Sequence, residues 1–214
     1  NFDDNRLYGF DNNDFQRLDE LITESGSRLL FFDELQEIQG WERYVRQKLD
    51  ENYNVVITGS NASLMSRELG TKLTGRHLDS ELFPFSYGEY LHAAEAKGGE
   101  VSVRDYLDKG GFPAFIMSDD ERILSDLFED ILLRDIIIRY GIRDIKGLQR
   151  LALWLISNIS NLVTATGVKQ VAGISATSTI MEYFSHLESS YLFHFVPRFS
   201  YSVRSRMISP RKVY

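Results

Sequence analysis

The chain has 214 residues, a formal net charge of −7 at pH 7 and no cysteine. The missing thiols exclude disulfides and thiolate metal sites, and the acidic balance argues against a protein that coats nucleic acid over its whole surface. No apolar run in the 214 residues approaches the roughly 20 residues that cross a bilayer, and these residues show no signal-peptide pattern, so we expect a cytoplasmic protein without a membrane partner.

The first predicted elements are an amphipathic helix and a buried strand. The helix covers residues 14–25, and the strand covers the apolar run before Asp33 and Glu34. An apolar strand that ends in adjacent carboxylates is the Walker B pattern of P-loop ATPases. In that pattern Asp33 binds the water shell of Mg²⁺, and Glu34 polarises the attacking water. The alternative is that the two acids only cap the element that follows.

A helix over residues 40–50 leads to a second predicted strand, which begins at Val55 and ends in small polar residues. Strand, helix and strand at this spacing form a right-handed parallel unit, which brings the carboxyl ends of both strands side by side. Ser60 or Asn61 should therefore lie beside Asp33 and Glu34. The alternative is that Gly-Ser-Asn is only a turn at the end of the strand.

Several motifs together resemble one family, the prokaryotic AAA+ ATPases in which the ATPase is fused to a winged helix and a nuclease-like C-terminal domain. The matching stretches are residues 31–36, 57–62, 73–76, 83–91, 110–113 and 210–214. The resemblance implies that the protein hydrolyses ATP with Mg²⁺ and uses Ser60 or Asn61 as the sensor of the terminal phosphate. It also implies that Arg76 is an arginine finger, acting in cis or in trans. Arg76 can equally be a surface arginine that satisfies the carbonyls of the preceding helix.

The chain departs from this family in one important respect. Members carry a phosphate loop that ends in Gly-Lys-Ser or Gly-Lys-Thr, and the 214 residues contain neither sequence. We therefore expect that the chain begins downstream of that loop and by itself binds ATP weakly, while the longer protein is the ATPase.

The expected fold class is α/β, with an incomplete P-loop NTPase (AAA+) parallel-sheet core followed by a helical lid and a winged-helix domain. The expected domains are the core at 1–85, the lid at 86–142, the winged helix at 143–197 and the start of a nuclease-like domain at 198–214. Residues 77–83 are expected to add a strand to the core. A long helix that starts at Asp119 or Asp120 and ends near Gly141 is expected in the lid.

The winged-helix interpretation rests on a support helix, a short second helix, the turn Gly173-Ile174-Ser175 and a capped third helix. The paired wing strands are expected at 192–197 and around Val203. The candidate contacts to double-stranded DNA are Lys169, Gln170, Thr177, Ser178, Arg204 and Arg206. Because the third helix carries no arginine or lysine, we expect weak, salt-sensitive binding at most.

Two alternatives stay open. The winged helix can instead contact a protein, either a partner or a second copy in a homo-oligomer. ATP can also serve as a conformational switch in a DNA-binding or scaffold protein, with negligible turnover.

Overall fold

The computed structural model describes residues 1–59, 77–94 and 99–214. The chain divides into two compact units, one made of Asn1–His77 with Lys146–Tyr214 and the other of Leu78–Ile145. Within the described residues, no helix is long and apolar enough to cross a membrane.

The N-terminal part of the first unit is a small α/β layer in which helices and strands alternate. Its elements are α1 (Phe15–Ser25), β1 (Leu29–Phe32), α2 (Trp41–Asp50) and β2 (Asn54–Ile57), with short 3₁₀ turns at Asn5–Leu7 and Leu35–Glu37. The two strands pair in parallel, with Phe32 opposite Ile57, so their carboxyl ends lie at the same edge. The predicted parallel strand–helix–strand unit is therefore confirmed.

Strand β1, which was expected to be buried, is buried on one face among the described residues. Leu30 and Phe32 pack into a core built around Phe15, Tyr44 and Val45, on α1 and α2. Leu29 and Phe31 alternate with them on the opposite face and are more than half exposed. The reason is the period-2 alternation of a strand whose helices, among the described residues, pack against a single face.

The strand expected at residues 77–83 is wrong, because these residues form no regular secondary structure. Leu78 and Leu82 are fully exposed, and Phe83 is more than half exposed. Without a buried apolar face, the alternation of leucine with Asp79 and Glu81 has no packing to stabilise a strand.

The second unit consists of helices. They are α3 (Tyr87–Ala93), α4 (Glu100–Lys109), α5 (Pro113–Ser118) and α6 (Arg122–Asp130), which continues as a π-helical segment at Ile131–Ile138. Ser86 and Glu89 form a capping box at the start of α3. The N-cap of α6 is Glu121, whose side chain makes no capping bond, while the preceding Asp120, one of the two predicted caps, accepts a hydrogen bond from the backbone N–H of Arg122.

The C-terminal part of the first unit combines helices with a three-stranded antiparallel sheet. Its elements are α7 (Ile145–Ile156), β3 (Leu162–Val163), α8 (Ala165–Ala172), α9 (Thr177–Ser189), β4 (Phe195–Pro197), α10 (Val203–Ile208) and β5 (Arg211–Val213). The strand order is β3-β5-β4, so the last strand along the chain lies in the centre. Leu151, Ile180, Leu187 and Phe195 are among the buried apolar residues of this part.

The position of the second wing strand was predicted wrongly. The region around Val203 is helical because the Ser202 hydroxyl caps α10 by accepting a hydrogen bond from the N–H of Ser205. The strand that pairs with β4 is β5, in which Lys212 lies opposite Val196. Residues 211–213 thus belong to the same sheet as residues 162–163 and 195–197.

Candidate functional site

The carboxyl ends of β1 and β2 bring Asp33 and Thr58 into direct contact. The backbone N–H of Thr58 donates to the carbonyl oxygen of Phe32 at 2.9 Å, which extends the strand pairing by one residue. The Thr58 hydroxyl then donates to Oδ1 of Asp33. A further backbone bond, from the N–H of Phe2 to the Asp33 carbonyl oxygen at 2.8 Å, fixes the peptide of this residue. Asp33 is therefore oriented by both its backbone and its carboxylate.

Glu34 lies in an unusual backbone conformation. Its φ of 54° and ψ of 38° place it in the left-handed region, which costs a non-glycine residue about 1–2 kcal/mol. Such conformations persist where the surroundings hold them, and they cluster at functional sites. The turn at Leu35–Glu37 follows at once, so this conformation redirects the chain at the end of the strand.

Gln36 connects Glu34 to the end of β2. Its Nε2 donates to Oε2 of Glu34 at 2.5 Å. Its Oε1 faces Gly59 so closely that a Cβ at that position would lie 2.5 Å from the oxygen. This oxygen is buried and has no hydrogen-bond partner among the described residues. The strand edge thus presents two carboxylates, each held by a neighbouring side chain, and an uncompensated buried amide oxygen.

These oxygens are hard ligands of the kind that Mg²⁺ prefers. The described residues contain no group of three or more acidic or histidine side chains that could enclose a metal by themselves. Two carboxylates at a strand end instead suit Mg²⁺, which usually keeps several waters and shares its coordination between one or two carboxylates and substrate phosphates. The residues present therefore fit a Mg²⁺–nucleotide complex better than a dedicated all-protein metal cage.

A cluster of ion pairs surrounds the buried Lys48. The ammonium of Lys48, on α2, lies 2.7 Å from carboxylate oxygens of both Asp19 and Glu51, and its side chain is nearly fully buried. The Tyr44 hydroxyl donates to the same Asp19 at 2.6 Å. Burial and the bond to Asp19 raise the pKa of Tyr44. Burial lowers the Lys48 pKa, but the hydrogen bonds to Asp19 and Glu51 outweigh it and the pKa lies above its ordinary value. The cluster joins α1 to α2.

Three of the predicted site residues, Ser60, Asn61 and Arg76, lie outside the described residues. The contacts that the structure adds are those of Thr58 and Gln36, which sequence reasoning missed. Thr58 could have been found from register, because it stands one residue beyond Ile57 as Asp33 stands one beyond Phe32. Gln36 carried no such signal, since its contact depends on the left-handed turn at Glu34.

The predicted DNA contacts lie on three different helices. On α8, Lys169 is half-buried and Gln170 is exposed. At the start of α9, Thr177 is half-buried and Ser178 is exposed. Arg204 and Arg206 are both exposed on α10. Arg150, on α7, contacts the end of α8 at the turn before α9. Its guanidinium donates two hydrogen bonds to the carbonyl oxygen of Ala172, at 2.8 and 3.0 Å. Gly173 follows with φ 71°, so this turn is fixed by a charge-assisted cap.

Comparison with known proteins gives two family matches and two curated relatives. Residues 1–91 match the model of an AAA domain, and residues 100–214 match a domain of unknown function, DUF8612. The chain is 34% identical over 198 residues to an uncharacterized protein of Haemophilus influenzae, covering 86% of this chain and 50% of the relative. It is 29% identical over 240 residues to an uncharacterized protein of Methanocaldococcus jannaschii, covering 100% of this chain and 53% of the relative. No solved structure matches the chain.

The chain thus spans about half the length of the curated relatives that it matches. The AAA match agrees with the parallel β1–α2–β2 unit and supports an AAA-like, P-loop ATPase-type domain with nucleotide binding as its general function. The second model covers more than half of the chain. The chain therefore belongs to the family described as domain of unknown function DUF8612, and its first 91 residues match an AAA domain.

Proposed function

We propose that this chain supplies the two carboxylates of a Mg²⁺–ATP site, and that the protein containing it couples ATP hydrolysis to a conformational change. The observation that carries the proposal is the contact between Asp33 and Thr58 at the common edge of two parallel strands. Ligands of parallel α/β sheets bind outside the carboxyl ends of the strands, which is where these residues lie. The AAA match over residues 1–91 supports the same class of ligand.

Asp33 has the role of magnesium ligand in this proposal. Thr58 occupies Oδ1 with a hydrogen bond, which orients the carboxylate and leaves Oδ2 for the water shell of the metal. Mg²⁺, when bound, neutralises the negative charge that develops on the terminal phosphates.

Glu34 has the role of catalytic carboxylate. Gln36 donates a hydrogen bond to one of its oxygens, and the left-handed backbone turns the chain out of the strand at this residue. A carboxylate fixed in this way can accept a hydrogen bond from a water and polarise it for attack. Ser60 or Asn61 as phosphate sensor, and Arg76 as arginine finger, complete the proposed site.

We also propose that residues 143–197 form a winged helix together with β5. The order of elements is helix, strand, two helices, strand, the short helix α10 and a last strand, and this last strand lies in the centre of the sheet, which supports the assignment. It favours a second candidate function, contact with double-stranded DNA through Lys169, Gln170, Thr177, Ser178, Arg204 and Arg206. In that case ATP acts as a switch, and its turnover is negligible.

Magnesium-dependent nucleotide binding tests the first proposal. The protein should be a form that carries this chain together with a phosphate-binding loop, titrated with a fluorescent ATP analogue with and without Mg²⁺. We expect Asp33→Asn to abolish most of the gain in affinity that Mg²⁺ provides. Asp108→Asn, at an exposed position on α4, is the matched control and should behave as the wild type. If Mg²⁺ raised the nucleotide affinity of the Asp33→Asn protein as much as that of the wild type, Asp33 would not be the magnesium ligand.

A further inference from the structure

The chain after Glu188 differs in charge from the rest of the molecule. It holds four arginines and one lysine but no aspartate or glutamate, although the whole chain has a net charge of −7. All five cations fall within residues 198–212, which we call the basic-aromatic segment: Arg198, Arg204, Arg206, Arg211 and Lys212. Arg211 is half-buried and the other four are exposed. Cations concentrated in this way along an acidic protein favour local binding of a polyanion.

The same segment exposes two aromatic rings. Phe199 is 80% exposed and Tyr201 is 96% exposed. Their ring centroids lie 5.3 Å apart with an angle of 75° between the planes, so the rings meet edge to face. This arrangement leaves at least one face of each ring open to a flat partner.

The rings are not needed to build the sheet. Strand β4 ends at Pro197 and β5 begins at Arg211, and the core positions on these strands are filled by Phe195 and Val213, which are buried. Phe199 and Tyr201 lie in the connection between the two strands. Their exposure therefore has no explanation in the packing of the described residues around them.

We propose that the basic-aromatic segment binds single-stranded nucleic acid. Unpaired bases stack on Phe199 and Tyr201, and the arginines contact the phosphates. Aromatic rings interleaved with cations are the usual surface for single strands, because every base offers a flat face whatever its sequence. This inference does not depend on the ATP site and replaces duplex contact by α9 as the main nucleic-acid interaction of the chain.

Two observations favour a single strand over a duplex or an acidic protein. In a duplex the base faces are covered by neighbouring bases, so exposed rings gain nothing unless the helix is opened. Helix α9, which would lie in a groove, carries no arginine or lysine, and Glu182 and Glu188 are exposed on it. An acidic protein would satisfy the arginines, but it would not require two open rings beside them.

The test is fluorescence anisotropy of the 214-residue chain with labelled 15-nucleotide oligo(dT), oligo(U) and a duplex of equal length, without ATP. We expect the single strands to bind more tightly than the duplex. Phe199→Ala and Tyr201→Ala should each weaken binding roughly 5- to 150-fold, the range for the loss of one stacked base. Tyr201→Phe keeps the ring and should bind as the wild type. Tyr8→Ala, at an exposed tyrosine distant in sequence from the basic-aromatic segment, is the matched control and should leave the affinity for the oligonucleotides unchanged.

A salt series separates the arginines from the rings. Arg204→Ala should lower the slope of log affinity against log salt by about 0.7, the value for one phosphate on a single strand. The ring variants should leave the slope as it is. Equal or tighter binding to the duplex, ring variants with wild-type affinity, or no binding to any of the three probes would each overturn the proposal. Comparison of oligo(dT) with oligo(U) then shows whether DNA or RNA is preferred.

Because the anisotropy assay contains no nucleoside triphosphate, a lack of binding to the oligonucleotides would not count against the proposed ATP site. Failure of the Mg²⁺ titration would likewise leave the single-strand proposal untouched. Melting curves of each variant serve to exclude loss of fold as the cause of weaker binding.

Discussion

At the scale of single residues, both carboxylates at the strand edge accept a hydrogen bond from a neighbouring side chain. Thr58 orients Asp33, and Gln36 orients Glu34. Partners of this kind are not ligands themselves, but their loss typically lowers metal affinity or activity by 10- to 100-fold, because the ligand no longer keeps its orientation. The left-handed backbone of Glu34 adds a local constraint that only a well-packed neighbourhood maintains.

The role of Thr58 can be tested with a near-isosteric change. Thr58→Val keeps the β-branched shape that suits the strand end but removes the hydroxyl bonded to Asp33. We expect Mg²⁺-dependent nucleotide binding to weaken by roughly 10- to 100-fold with little change in melting temperature. Thr58→Ser retains the hydroxyl and should stay close to the wild type. Equal affinities for the valine and serine variants would show that the hydroxyl does not support the site.

His186 predicts a pH dependence of stability. Burial lowers the pKa of His186 below its ordinary value of 6.5, and Glu182 at 4.0 Å partly offsets this. The unfolded chain therefore binds the proton first as the pH falls, so stability is lost from about pH 6.5 downward until the folded pKa is passed. His186→Gln should reduce the fall in melting temperature between pH 7.5 and 5.5. Glu182→Gln should enlarge it, and identical pH profiles for all three proteins would contradict this account.

At the scale of elements, two glycines fix how segments approach each other. In the second unit the N–H of Phe85 donates to the carbonyl oxygen of Gly111 at 2.7 Å. A Cβ on Gly111 would lie 2.2 Å from the carbonyl oxygen of Phe85, so no side chain fits there without moving backbone. In the C-terminal part, Gly173 combines φ 71° with a close approach of the Arg150 guanidinium, which allows α8 to end where α9 can begin.

We expect Gly111→Ala to destabilise the protein by about 1–3 kcal/mol, the usual cost of forcing extra volume into a packed contact. Amide exchange of Phe85 and the melting temperature are the measurements. Gly88→Ala is the control, because Gly88 lies in α3 with open space around its Cα, and alanine is the better helix former. The prediction would be contradicted if both alanine variants were as stable as the wild type.

The elements themselves were largely predictable from the sequence, since periodicity identified α1, α2, α9, β1 and β2 and their spacing implied parallel pairing. The errors have physical causes. Residues 77–83 alternate like a strand, but their leucines are exposed and pack on nothing among the described residues. Val203 is β-branched, yet the cap supplied by Ser202 makes a helix there. In the site, Asp33 and Glu34 were predicted from their sequence motif. The contact of Gln36 with Glu34 was not predicted, because it depends on a left-handed turn that has no sequence pattern here.

At the scale of the whole molecule, residues with different chemistry lie in separate parts of the chain. The strand edge with Asp33 belongs to the segment that matches an AAA domain, and the basic-aromatic segment belongs to the one that matches DUF8612. The 214 residues contain no Gly-Lys-Ser or Gly-Lys-Thr. Backbone donors and the lysine of such a loop supply most of the affinity for the phosphates of ATP.

The chain by itself should therefore bind ATP weakly. Titration of the 214-residue chain by calorimetry with Mg²⁺–ATP should show little heat and no saturation at micromolar ligand. A form that adds a phosphate-binding loop should saturate. Tight binding by the chain alone would contradict this division of roles.

In the proposed mechanism Glu34 acts on the water that attacks ATP, and single-turnover hydrolysis measures that step. In the form with a phosphate-binding loop, Glu34→Gln keeps the size and the contact with Gln36 but cannot accept a proton. We expect ATP affinity close to the wild type and a hydrolysis step slower by about 10²- to 10⁴-fold. A Glu34→Gln protein that hydrolyses bound ATP at the wild-type rate would contradict it and favour ATP as a conformational switch.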